Sequence, residues 1–134
     1  MDPRIAASID DIERRLNQRL RVRDLAATVG LSPSRFAHLF HDEFAMGPLE
    51  YVRIRRLARA RALLERTFLT VKEVMAHVGC SDPSHFARDF RRQYGLGPRE
   101  WRRRYGPHAP TRPPPADIFV PQQQWPTNSR FGQR

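Results

Sequence analysis

The chain has 134 residues, with 24 Lys plus Arg against 14 Asp plus Glu and a formal net charge of +10. That length holds one domain or two very small ones; a single cysteine, Cys80, rules out an internal disulfide, and no apolar run approaches the roughly 18 residues of a membrane span. With no apolar signal stretch at the N-terminus a cytoplasmic address is expected, and the cationic surplus points to a polyanion, with nucleic acid the leading candidate.

Ile5, Ile9, Ile12, Leu16 and Leu20 step by three or four and mark one apolar helix face. Asp2 and Pro3 supply its N-cap and first-turn proline. A short second helix is expected from about Arg23 to Val29, with Gly30 ending it in the left-handed region. Ser32-Pro33 opens a third, running to about Ala45. A longer helix follows from Pro48 to Arg66. Ile54, Leu57, Ala60 and Leu64 form its stripe, and Val52, Ala58, Ala62 and Leu63 widen it enough for packing on several sides. Further helices are expected from Val71 to Val78, from Asp82-Pro83 to about Tyr94, and over about residues 98–105. No alternating apolar pattern occurs before residue 107, so the expected class is all-α. Seven of the twelve prolines fall between Pro107 and Pro126, and residues 107–134 are expected to form an extended or disordered tail.

The strongest signal is internal similarity at an offset of about fifty residues. Pro33-Ser34-Arg35-Phe36-Ala37-His38-Leu39-Phe40 recurs as Pro83-Ser84-His85-Phe86-Ala87-Arg88-Asp89-Phe90. Gly47-Pro48-Leu49-Glu50-Tyr51 recurs as Gly97-Pro98-Arg99-Glu100-Trp101. Between Pro33–Arg53 and Pro83–Arg103, nine of 21 positions are identical. Each copy reads as a short helix, a glycine turn (Gly30, Gly79) and a second helix capped by Ser32 or Asp82. That is the helix-turn-helix pattern. The first unit is expected over about 22–45, the linking helix over about 48–66 and the second unit over about 71–94.

The second helix of each copy has two faces. Phe36, Phe40 and Phe44 lie on one side, as do Phe86, Phe90 and Tyr94, and both sets belong in a core. The opposite face carries Ser34, Ala37, His38 and His41 in copy one, and Ser84, Ala87, Arg88, Arg91 and Arg92 in copy two. Small and hydrogen-bonding groups without an apolar stripe suit a groove of base edges and phosphates. Residues 1–45 are electrically neutral, whereas 46–106 carry a net +8, so the cationic character sits in the second half of the folded region. On the linking helix, Arg55, Arg59 and Arg66 gather on one side. Arg55, Arg59 and Arg103 are candidate phosphate contacts. That helix would span about 28 Å, against roughly 34 Å between successive major grooves on one face of DNA.

Other chemistries find little support. His38 and His41 stand at i, i+3 without an obvious third metal ligand, so no metal is expected. Cys80 sits in a turn and reads as a small packed residue. No catalytic group is expected. A module binding an acidic protein partner remains an alternative reading of the basic faces.

Leu25-Ala26-Ala27, Val29-Gly30-Leu31-Ser32, Phe36 to Phe40, Gly47-Pro48, Tyr51, Arg56-Leu57, Ala60 and Leu63-Leu64 occur in order. Val78-Gly79, Phe86, Phe90, Gly97-Pro98 and Trp101 complete a pattern that resembles the DNA-binding domain of the AraC/XylS family of bacterial transcription regulators. The resemblance covers about residues 5–105 and implies a domain of about seven helices over 1–106 whose two recognition helices enter successive major grooves of double-stranded DNA. It implies no cofactor, activation as the favoured mode of regulation, and RNA polymerase as a further partner. Carried over by position, the base-reading face is Ser34, Arg35, Ala37 and His38 in one unit, and Pro83, Ser84, His85, Ala87 and Arg88 in the other. Arg88 stands foremost, because a guanidinium can bridge guanine O6 and N7. Two departures stand out. Gly47 and Gly97 occupy positions where relatives often have Ser or Thr, and Ala45 stands where the second copy has Gly95, so the first recognition helix is expected to end less cleanly. The family also implies either a small stand-alone regulator or, as the favoured expectation, the C-terminal part of a longer one with an effector or dimerisation domain. Some relatives are fused to DNA-repair alkyltransferases, so a severed repair module is a further alternative.

Overall fold

The computed structural model describes residues 1–115, and among them lie seven helices and no strand, the all-α class expected from the pattern. They are α1 (Pro3–Arg14), α2 (Val22–Thr28), α3 (Pro33–Phe44), α4 (Pro48–Arg66), α5 (Val71–His77), α6 (Pro83–Tyr94) and α7 (Pro98–Tyr105). The expectation of a disordered tail falls mainly on residues 116–134, outside the described residues.

Side-chain caps fix most helix starts, because the first N–H groups of a helix have no partner within it. The Asp2 carboxylate accepts from Arg4 N at 2.8 Å, and the Ser32 hydroxyl accepts from Arg35 N at 3.1 Å. Asp82 accepts from both Ser84 N and His85 N, at 3.0 and 3.2 Å. α5 has a cap the repeat pattern did not bring out. Thr70 accepts from Glu73 N at 3.1 Å, and the Glu73 carboxylate accepts in return from Thr70 N at 2.8 Å. These bonds hold the Glu73 carboxyl below the usual carboxylate range, the backbone bond first among them. The signal was present in sequence as Thr70-Val71-Lys72-Glu73, a capping box.

α1 ends at Arg14, earlier than its apolar stripe suggested. Arg15 leaves the helical region at φ −117°, and the chain continues through a turn closed by Gln18 N to Arg15 O at 2.9 Å. Leu16 and Leu20 are nevertheless buried. The stripe recorded which side chains face inward, and a turn can present them as well as a helix.

The chain divides into two compact units, Met1–Arg53 and a second beginning at Ile54. In the first, α1, α2 and α3 pack on one another and bury Ile5, Ile9, Ile12, Leu16, Leu25 and the three phenylalanines of α3. Tyr51, from the first turns of α4, closes this core with its ring 5.3 Å from Phe40 and 5.2 Å from Phe44. In the second, Leu57, Ala60 and Leu64 of α4 join Val74, Met75, Val78, Phe86, Phe90, Tyr94 and Trp101. The 9–12–16 spacing of buried residues in α1 and its turn matches the 57–60–64 spacing in α4. The duplication therefore extends upstream of the glycine turns, where of these three pairs only Leu16 and Leu64 are identical.

Beyond α7 the described residues form no helix, in keeping with their prolines, yet residues 107–115 lie against the second unit. The His108 ring stands 4.7 Å from Phe68, and the Arg61 guanidinium donates to the carbonyl of Pro114. The physical reason is Arg61 itself, 5% exposed within α4. A buried guanidinium needs acceptors on several sides. Glu65 accepts at 2.7 Å, the Tyr94 and Trp101 rings lie 5.1 and 4.8 Å away, and the proline segment adds a carbonyl that no helix has claimed.

Candidate nucleic-acid interface

Each second helix of a helix-turn-helix is held by the same device. In α3, Phe36, Phe40 and Phe44 are buried, with centroids 5.8 and 4.9 Å apart. In α6, Phe86, Phe90 and Tyr94 are buried, with centroids 5.9 and 4.9 Å apart. Anchoring three aromatic groups at i, i+4 and i+8 fixes the helix rotation, and so fixes which side chains point outward.

On α3 the outward residues Ser34, Arg35, His38 and His41 are exposed and Ala37 is half-buried. The His38 Nε2 atom lies 3.4 Å from an Asp42 carboxylate oxygen, with both side chains exposed. This face therefore carries a carboxylate among its donors. On α6, Pro83, Ser84, His85, Arg88, Arg91 and Arg92 are exposed and Ala87 is half-buried. Ala87 borders a cleft lined also by Val71, Met75, Cys80, Phe86 and Pro98. Burial pushes the Cys80 thiol up, away from a reactive thiolate.

Every residue expected to read bases or touch phosphate from α3 and α6 thus lies on an exposed or half-exposed surface of its own unit. The other candidates differ. Arg103 is exposed on α7, whereas Arg55 and Arg59 are half-buried on α4 and already interact within the protein. Arg102, beside Arg103, acts as a brace: its guanidinium donates to the carbonyls of Leu64 and Leu69 at 2.8 and 2.5 Å. Among the described residues no group of three or more His, Cys, Asp or Glu side chains could hold a metal ion.

Two features of α6 were not legible as part of a site. Asp89 is 7% exposed, yet its carboxylate lies 3.7 Å from both His85 Nδ1 and Arg92 Nη1. Gly97, which opens α7, lies beside the Arg91 guanidinium. A Cβ there would meet Arg91 Nη2 at an ordinary contact distance of 3.4 Å. The fifty-residue repeat held a clue to Asp89, since it aligns with the apolar Leu39.

A helix-turn-helix domain family matches residues 25–104 of the chain. A transcriptional regulator of the helix-turn-helix type from Escherichia coli K12, YpdC, is 36% identical over 88 residues, covering 66% of this chain and 31% of that one. The crystal structure of an AraC-type DNA-binding-domain regulator from Chromobacterium violaceum is 29% identical with a TM-score of 0.70, covering 75% of this chain and 89% of that one. The DNA-binding domain of AdpA, solved in complex with a target DNA, is 28% identical with a TM-score of 0.70, covering 73% and 88%. The chain spans about a third of the length of the curated relatives it matches. It belongs to the AraC-type family of helix-turn-helix transcriptional regulators, and its paired units constitute an AraC-type DNA-binding domain.

Proposed function

We propose that the domain reads a specific duplex as a monomer, placing α3 and α6 in successive major grooves over a site of about two helical turns. The observation that carries this reading is the repeated geometry: each recognition helix is rotationally locked by an aromatic triad and turns a polar face to solvent. Two such helices in one chain need no symmetry-related partner. Ser34, Arg35, Ala37 and His38 then address one half-site, and Ser84, His85, Ala87 and Arg88 the other, with Pro83 at the helix entrance. Arg88 bridges guanine O6 and N7, and the alanines offer only apolar contact to a thymine methyl. Arg91, Arg92 and Arg103 meet phosphates, as does His41 on α3. Arg55 and Arg59 do so only if they exchange their contacts within the protein. A regulator of this kind works at the chromosome, in the cytoplasm, with RNA polymerase as its second partner and activation as its mode. A sensory or dimerisation domain is the natural complement to a chain of this length.

The test separates base reading from charge. Phosphate contacts contribute about −0.9 each to the slope of log affinity against log salt. Arg91→Ala or Arg92→Ala should weaken binding equally on all duplexes and flatten that slope. Arg88→Ala should instead lose about 1–3 kcal/mol on the preferred duplex and relax the choice at one base pair. Equal loss on every sequence would make Arg88 a phosphate contact, and two chains on a short asymmetric duplex would defeat the monomer reading.

A further inference from the structure

The second recognition helix carries a charge where the first carries a hydrocarbon. Leu39 is half-buried on the shoulder of α3, between its core face and its outward face. Fifty residues on, the same shoulder of α6 holds Asp89, 7% exposed. A carboxylate placed there gives up hydration that leucine never had, so its partners must return it. Two of them stand one turn away on either side, His85 Nδ1 and Arg92 Nη1, each at 3.7 Å. Both belong to the exposed face, with side chains 65% and 73% exposed. Arg56 of α4 lies close enough for the Cys80 thiol to experience its charge together with that of Asp89. Asp89 thus reaches from a buried root to the two side chains that flank Arg88.

The ring atom that faces the carboxylate decides what His85 can do. A neutral imidazole carries one N–H, and a carboxylate beside Nδ1 favours the proton there. Nε2 is then left as an acceptor. In the major groove an acceptor matches the exocyclic amines of adenine and cytosine and finds no partner in guanine O6 or thymine O4. We propose that Asp89 is a specificity-determining positioning residue that holds His85 as the Nδ1–H tautomer, so that Nε2 reads an adenine or cytosine amino group while Arg92 is held toward the phosphates. The proposal rests on the reading that α6 enters the major groove.

Nitrogen NMR of the free protein tests the first link without DNA. His85 should carry its proton on Nδ1 in the wild type and shift toward Nε2 in Asp89→Leu, the residue of the first copy. A wild-type His85 protonated on Nε2 overturns the proposal, whether or not any variant folds. The second link uses a preferred duplex selected from a random pool, with each base pair then exchanged singly. The wild type should discriminate about tenfold at one position between amino and carbonyl bases, and Asp89→Leu should reduce this to about twofold at undiminished melting temperature. Uniform loss on every duplex together with a lowered melting temperature would make Asp89 merely structural and overturn the proposal. Should His85→Ala bind all duplexes as the wild type does, the groove reading fails at this position even where the tautomer is as expected.

Discussion

The two helix-turn-helix units share an aromatic frame and differ in what surrounds it. Phe36, Phe40, Phe44 and Tyr51 superimpose in role on Phe86, Phe90, Tyr94 and Trp101. The Phe40–Tyr51 and Phe90–Trp101 centroid distances are 5.3 and 5.9 Å, both edge-on. Around the first frame the outward face mixes cations with Asp42. Around the second, a buried ion pair, a proline segment and an arginine-rich surface are added. The frame determines how a recognition helix is presented, and the periphery determines what it presents. A duplicated scaffold can therefore diverge in chemistry without diverging in geometry.

Arg61 offers the sharpest way to break this parallel, because among the described residues no arginine of the first unit is buried. Its side chain is 7% exposed and that of Glu65 is 11% exposed. Glu65 also accepts from Trp101 Nε1 at 2.9 Å, so the pair links α4 to the aromatic frame. Removing one member of a buried pair leaves the other uncompensated, and Arg61→Ala should lose about 3–5 kcal/mol in denaturant unfolding. Arg61→Met with Glu65→Gln should recover much of that loss. If Arg61→Ala loses under about 1 kcal/mol, the ion pair behaves as a solvated surface pair instead.

Tyr94 gives the next largest effect. Burial, opposed by the charges of Arg61 and Arg55 and aided by that of Glu65, pushes its phenol from 10.0 up to about 12. A group whose folded value is raised holds its proton while the unfolded chain loses it. The associated stability is therefore intact below pH 10 and disappears as pH rises from about 10 to about 12, by roughly 2–3 kcal/mol. Tyr94→Phe installs the first copy's residue and should flatten this part of the alkaline decline. A variant that loses stability over that range as steeply as the wild type would exclude Tyr94 as its source.

The proline segment should contribute less. A chain ending at Gly106 lacks the Pro114 carbonyl that accepts from Arg61 and the His108 ring beside Phe68. A hydrogen bond to a charged group contributes about 1.5–3 kcal/mol, offset in part by the entropy of ordering the segment. Ending the chain at Gly106 should thus lower stability by about 1–2 kcal/mol relative to ending it at Pro115. Equal melting temperatures for the two chains would show that the segment does not brace Arg61.

What the sequence reveals divides along the same line. The helices, their caps at Asp2, Ser32 and Asp82, and the aromatic triads follow from local spacing, so they could be read directly. The outward residues of α3 and α6 follow too, since burying one face of a helix exposes the other. Arg61 and Asp89 could not be placed this way. Arg61 falls in a stretch of alternating arginine and alanine, where charge normally signals solvent, and Asp89 sits within a basic run. Both are buried because partners arrive from other turns or from beyond α7, and single-helix periodicity carries no information about those. The contact between residues 107–115 and the second unit was hidden for the same reason.

The smallest expected effect lies at the point where the first copy lacks a glycine. α3 and α6 both end in a left-handed residue whose N–H bonds back one turn, Ala45 N to His41 O at 2.8 Å and Gly95 N to Arg91 O at 2.7 Å. Gly95 adopts φ 88° without a side chain to resist it, whereas Ala45 holds φ 59° against its own Cβ. For an L-residue that conformation is disfavoured by roughly 1–2 kcal/mol. The helix nevertheless ends cleanly, because the return bond and the buried Met46 that follows hold the turn in place. Ala45→Gly should therefore relieve the strain, and the greater freedom of glycine in the unfolded chain should cancel part of the gain. The net expectation is an increase of about 0.5–1 kcal/mol in denaturant unfolding, with DNA discrimination unchanged because residue 45 lies beyond the outward face of α3. The reverse change, Gly95→Ala, should destabilise the second unit by a similar amount. Should Ala45→Gly lower stability instead, the left-handed turn is not strained, and the two copies end their recognition helices by different means.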